Sequence, residues 1–165
     1  MKVAVVTPTI LPFSEQRGII GGGESYAYNL CAKLAEKGKK VTLFTRAANK
    51  TEEVNLNNSF TIKYMSSSPG LDVTSFSLTL YKEIVIGDFD IIHIHQLSTV
   101  NNVLTAALCR SKGTPVVLTD HGGGWALLSA ISSLTAKLPD CFAAVSDFSA
   151  TSLLQFAPRK KTAIL

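Results

Sequence analysis

The chain predicts an α/β fold: a doubly wound, mainly parallel Rossmann-like sheet of about seven strands with helices on both faces. Two observations carry this expectation. Short Val/Ile/Leu runs alternate with amphipathic segments along the whole sequence. The runs are near-continuously apolar, as strands buried on both faces are. The composition agrees, being 46% hydrophobic and 17% charged, which places the chain among globular proteins and away from disorder. At 165 residues it is the size of one domain with a substantial core.

Taken in order, Val3–Val6 reads as the first strand. Tyr26, Ala27, Leu30, Cys31, Leu34 and Ala35 then recur at helical spacing, and Gly38 closes that helix as a left-handed cap. Val41–Thr45 is the second strand. A polar, Asn-rich loop leads to a third at Phe60–Tyr64. Asp72 is placed to cap a helix whose core face would be Val73, Phe76, Leu80, Tyr81 and Ile84. Ile91–Ile94 is a fourth strand. The helix after it would bury Val100, Val103, Leu104, Ala107 and Leu108 and end at Gly113. Pro115–Thr119 is a fifth strand, Trp125–Leu138 a helix and Phe142–Val145 a sixth strand. Asp147 then caps a last helix, and Ala163–Leu165 begins a seventh strand. Strands each followed by a helix imply right-handed crossovers and the strand order 3-2-1-4-5-6. Because the sequence stops inside an apparent strand, it reads as one part of a longer protein.

Several function classes are excluded by composition. The net charge of +4 comes from scattered bases, apart from Lys39-Lys40 and Arg159-Lys160-Lys161, and aromatics do not interleave with them. No nucleic-acid surface is expected, although weak attraction to phosphates or to an anionic membrane surface is compatible. Cys31, Cys109 and Cys141 form no CxxC pair and read as small core residues of a reducing compartment. The apolar runs are far shorter than a membrane span. The apolar start is interrupted by Thr7-Pro8-Thr9, unlike a signal peptide. A cytoplasmic protein is expected.

In such a sheet the ligand lies beyond the carboxyl ends of the strands, near the reversal of strand order. The loop after the first strand runs from Thr7 to Gly21, longer than the ~2–6 residues usual for such a connection. It ends in Gly18-Ile19-Ile20-Gly21-Gly22-Gly23-Glu24-Ser25 at a helix start. Glycines there let backbone N–H groups approach an anion, which the helix dipole also favours. Two phosphate motifs fail on inspection. A dinucleotide fingerprint would need glycine where Tyr26 stands, and a P-loop would need lysine where Glu24 stands.

The fourth strand carries His93-Ile94-His95, both imidazoles on one face with His95 at the end. The fifth gives Thr119-Asp120-His121-Gly122. All three histidines of the chain thus fall at adjacent strand ends, and His95 and His121 read as site residues while His93, one pleat deeper, reads as structural. A metal site from His93, His95, His121 and Asp120 is an alternative, as in metal-dependent hydrolases. Those hydrolases place H-x-H on the first strand of a barrel for which this chain is too short. In Val145-Ser146-Asp147, Ser146 or Asp147 reads as a helix cap, with a ligand contact by Ser146 as the second reading. Trp125, Leu127 and Leu128 pack on the sheet or, if exposed beside the cleft, favour a lipid-linked acceptor.

A Gly-Gly pair opening the first helix, a strand ending His-x-His, T-x-H-G after the next strand and V-S before a later helix appear in this order. Together they resemble the N-terminal domain of glycosyltransferase family 4, retaining enzymes of the two-domain GT-B fold. The likeness runs from Met1 to Leu165, and Gly21-Gly22-Gly23-Glu24-Ser25-Tyr26-Ala27-Tyr28-Asn29-Leu30 is especially similar to the family's first helix. The resemblance implies a nucleotide-sugar donor, with Gly21 and Gly22 offering N–H groups to its β-phosphate. It places His121 beside the transferred sugar, and His95, Gly122 and Ser146 along the acceptor side of the cleft. It implies a sugar or lipid-linked acceptor, no metal and no cofactor. A C-terminal, nucleotide-binding domain would supply a basic residue and paired glutamates, so this domain alone would be inactive. A stand-alone half of a split transferase, or a module binding a phosphorylated ligand, remains the alternative reading.

Overall fold

The computed structural model describes residues 1–9, 21–47, 51–68, 76–97, 99–121 and 129–165. In chain order the elements are β1 (Lys2–Thr9), α1 (Gly22–Glu36), β2 (Lys40–Ala47), β3 (Glu52–Asn57), β4 (Phe60–Ser66), α2 (Leu78–Ile86) and β5 (Ile91–His95). They continue as α3 (Val100–Lys112), β6 (Val116–Thr119), α4 (Ser129–Lys137), β7 (Cys141–Ala144), α5 (Asp147–Phe156) and β8 (Lys161–Ile164). Among the described residues the strands form one eight-stranded sheet in the order β3-β4-β2-β1-β5-β6-β7-β8. Every pairing is parallel except that of β3 with β4. The expected order of the parallel strands is therefore the observed one, with a further strand on one edge.

Alternation along β1 feeds two cores. Val3 and Val5 face α1 and pack with Ala27, Cys31, Val41, Leu43 and Ile62. Ala4 and Val6 face the opposite way, into a larger core closed by Leu80 and Ile84 of α2, Ala106 and Cys109 of α3, Ala136 of α4 and Leu153 of α5. Both faces of the central strands are thus covered, which is why those strands read as unbroken apolar runs. Gly38 and Gly113 hold φ of +73° and +72°, the left-handed conformation that ends α1 and α3. Among the described residues no helix is long and apolar enough to cross a membrane.

Three expectations need correction. The Asn-rich segment is not a loop; Glu52–Asn57 pairs antiparallel with β4 through a turn in which Asn57 Oδ1 accepts the Ser59 N–H at 2.8 Å. This edge strand is exposed along nearly its whole length, so it carries no alternation for a pattern to reveal. Helix α2 starts later than expected, with Ser77 as N-cap accepting the Leu80 N–H. Phe76 precedes it and is exposed, whereas Leu80 and Ile84 are buried as expected; Asp72 and Val73 lie outside the described residues. Helix α3 is rotated about its axis. Its buried residues are Asn102, Thr105, Ala106 and Cys109, while Leu104 is 42% exposed and Ala107 faces water.

The reason for that rotation is polar. Asn102 Nδ2 donates to the carbonyl oxygens of both His95 and Gln96, each at 2.6 Å. Buried carbonyls without a donor are costly, so the amide is drawn inward and the small residues Thr105, Ala106 and Cys109 follow on the same stripe. Leu104 is turned out as a consequence. Leu104→Ser should therefore change the unfolding free energy by less than about 0.5 kcal/mol. Overpacking Ala106→Leu should cost about 1–3 kcal/mol. Urea titration of the two variants ranks them, and the opposite order would restore the face expected from periodicity.

Candidate functional site

Parallel pairing of β5 with β6 sets His93 beside Val117 and His95 beside Thr119. Two residues past Thr119 the chain reaches His121. The three imidazoles form a ladder: His93 and His95 stack with centroids 4.5 Å apart, and His95 and His121 lie 5.2 Å apart with rings 11° from parallel. His95 Nδ1 and His121 Nε2 are hydrogen bonded at 2.9 Å, and His93 Nε2 is bonded to Thr119 Oγ1 at 2.7 Å. His95 is 1% exposed, and its Nε2 is a buried atom with no hydrogen-bond partner among the described residues.

The opening of α1 packs against this ladder. Gly21 is the N-cap in extended conformation and brings no side chain to cap the helix. A methyl group on Gly23 would sit 3.1 Å from Cδ2 of His121, so the glycine lets the imidazole lie against the first turn. One turn further, the Tyr26 ring lies 5.2 Å from His121 and 5.8 Å from His95. The first-turn N–H groups of an α-helix have no acceptor within the helix, and the dipole is positive there. Glu24 opposes this polarity in part: its carboxylate folds back to within 2.6 Å of where a methyl group on Gly21 would lie.

The strand ends are fixed from behind. Asn102 ties the His95 and Gln96 carbonyls, and Gln96 itself holds φ of +75°, an unusual conformation for a residue with a Cβ. Asp120 accepts the Leu97 N–H at 3.2 Å through Oδ1. Ser149, in the first turn of α5, donates its hydroxyl to the Asp120 carbonyl at 2.5 Å. The residues on either side of the histidines are thus anchored to α3 and α5.

Burial dominates the electrostatics. It holds the His93 imidazole down to about 4, helped by the charge of His121. Burial, then His93 and His121, push His95 well below the usual histidine range. His121 is also lowered by burial, but Asp120 and Glu24 pull it back up. Neutral, stacked rings whose nitrogens are turned to one another and to Thr119 do not converge on a common point. Among the described residues, no group of three His, Cys, Asp or Glu side chains could hold a metal ion.

The structure thus brings Gly21, Gly22, His95 and His121 to one end of the sheet, with Gly22 exposed as the first residue of α1. His93 has the structural place expected of it, on Thr119. Ser146, rather than Asp147, is the N-cap of α5, its Oγ accepting the Ser149 N–H at 3.1 Å. Gly122, with Trp125, Leu127 and Leu128, lies outside the described residues. Sequence reasoning missed Asn102 as the clamp, Tyr26 as the aromatic wall and Gly23 as the close contact. Tyr26 was hidden among the apolar positions of a helix, and Asn102 lies where helical periodicity predicts a solvent-facing residue.

Residues 20–165 match the family model of Glycosyltransferase Family 4. No curated protein matches the chain.

Two outcomes follow from the buried ladder. Because His93 and His95 bind protons more weakly folded than unfolded, the unfolded chain takes up more protons as pH falls. Their contribution is fully present above about pH 6.5 and falls away below it, that of His93 as pH drops toward about 4 and that of His95 in the same direction. Urea denaturation at stepped pH should show that loss, and His93→Asn should make it shallower. Separately, Asn102→Ala strands two carbonyls and should destabilise by roughly 1–3 kcal/mol or more, measured by the same titration at neutral pH.

Proposed function

The chain belongs to glycosyltransferase family 4, and from that premise we propose that it is the acceptor-side half of a two-domain retaining transferase. In this reading the donor is a nucleotide sugar, the acceptor is a sugar or a lipid-linked sugar, and a C-terminal domain of the same protein holds the nucleotide. The observation that supports it is the packing of the glycine-led start of α1 directly on His121, with His95 behind.

The chemistry proceeds from charge. As the bond from the anomeric carbon to the leaving diphosphate breaks, the sugar gains oxocarbenium character and negative charge grows on the phosphate. Fixed N–H groups at Gly21 and Gly22 stabilise that growing charge more than they stabilise the bound donor, which lowers the barrier. Such donors need no reorganisation during the reaction, because the helix already holds them. In this reading His121 is assigned to the transferred sugar, and His95, Gly122 and Ser146 to the acceptor. The acceptor's proton leaves with the departing phosphate, so no side chain of this half is assigned as general base. No metal or other cofactor takes part. Glu24 sets a condition on binding: its carboxylate lies near the position an anion would take and must turn away.

We place the enzyme in the cytoplasm with weak peripheral attraction to the membrane, in keeping with the net charge of +4. The isolated half is inactive, since the nucleotide-binding wall is supplied by the other domain.

Gly22 offers a clean test. It is the first residue of α1, follows an extended Gly21, and among the described residues nothing lies within 4 Å of an added Cβ. Proline is well tolerated at that position and removes only the N–H. In the full-length protein, Gly22→Pro should lower kcat by roughly 10²-fold or more with folding unchanged. His121→Ala should also lose transfer, while Glu24→Gln should tighten donor binding. Sugar transfer followed by product chromatography reads all three, and a normal rate in both Gly22→Pro and His121→Ala would sink the assignment.

A further inference from the structure

We propose that His95 is a positioning residue that fixes the tautomer of His121. Its Nδ1–H donates to Nε2 of His121, leaving His121 protonated on Nδ1 and presenting a hydrogen-bond donor, not a base, to its ligand. The identity of that ligand as a sugar or phosphate oxygen rests on the function proposed above; the tautomer does not.

The 2.9 Å contact between the two nitrogens requires one to carry a proton and the other a lone pair. Two observations decide which. First, the anions lie around His121. Asp120 precedes it and Glu24 of α1 acts on it, whereas His95 is surrounded by His93, His121 and Tyr26. With Nε2 of His121 taken by His95, its Nδ1 is the nitrogen left to serve oxygen acceptors, and an acidic neighbourhood favours a proton there. Second, Nε2 of His95 is buried and has no partner among the described residues. A proton on that atom would strand an N–H donor in the interior, which folded proteins rarely tolerate. On Nδ1 the same proton makes a hydrogen bond.

The ring that does this is held by its neighbours. His93 stacks beneath it at 4.5 Å, Tyr26 lies 5.8 Å away, and Asn102 grips the His95 carbonyl. His95 therefore cannot rotate to offer its other nitrogen without breaking the ladder. The consequence for His121 is chemical. A neutral imidazole whose outward nitrogen bears hydrogen can bind a hydroxyl or phosphate oxygen but cannot take a proton from an acceptor hydroxyl through that nitrogen.

Nitrogen-detected NMR of the chain labelled with 15N-histidine tests this near neutral pH with no substrate present. The expected spectrum shows His121 with a protonated Nδ1 and an unprotonated Nε2, and His95 with a protonated Nδ1. His121 protonated on Nε2 would overturn the proposal. His95→Leu, which cannot donate, should return His121 to the Nε2–H form that a free histidine side chain prefers, while His95→Gln, whose amide can donate, should keep Nδ1–H. A His121 unchanged in His95→Leu would show that His95 does not set it. Should that variant fail to fold, the wild-type spectrum alone decides. Because no donor or acceptor is added, the outcome is independent of whether Gly22→Pro and His121→Ala abolish transfer.

Discussion

The register of β5 against β6 is the constraint on which the site depends. Parallel pairing aligns His95 with Thr119, and since side chains on one face recur every second residue, His93 and His95 must share a face. His121 then emerges beyond the neighbouring strand end, two residues past Thr119. A slip of one residue would send His93 and His95 into the apolar core now occupied by Ile92 and Ile94. The burial of those two isoleucines is thus what holds the imidazoles at the ligand edge.

Helix α3 adds a second constraint that acts at right angles to the first. The Asn102 amide fixes where β5 stops, because it satisfies the last two carbonyls of the strand end and supports the left-handed turn at Gln96. The helix sacrifices the burial of Leu104 to do so. That exchange is sensible in magnitude. A half-exposed leucine forfeits only part of its ~1.5–3 kcal/mol of burial, while two unmet carbonyls in the interior would cost at least as much.

Much of the fold was legible because its central strands are buried on both faces and two of its helices end at a left-handed glycine. Val3–Val6, Val41–Thr45 and Ile91–Ile94 lie within the observed strands, and Gly38 and Gly113 sit where helices stop. Strand β3 was not legible, because an exposed edge has no apolar period. The face of α3 was misread because periodicity counts hydrophobic residues and is blind to an asparagine buried for its hydrogen bonds. For the site, the histidines and glycines were visible as types at strand and helix ends. Their mutual arrangement was not: stacking, the shared hydrogen bond and the role of Gly23 depend on how α1 crosses the sheet, which no local pattern encodes.

The added strand also shapes how molecules meet. Glu52, Glu53, Asn55 and Asn57 line the outer border of the sheet, exposed to water, and Lys63 of β4 reaches Glu53 at 3.3 Å and Glu83 of α2 at 2.6 Å. The lysine thereby fastens this acidic hem to the body of the domain. Two copies approaching hem to hem would confront like charge before any backbone pairing could form. The edge least visible in the sequence thus carries charge that opposes strand pairing on that side.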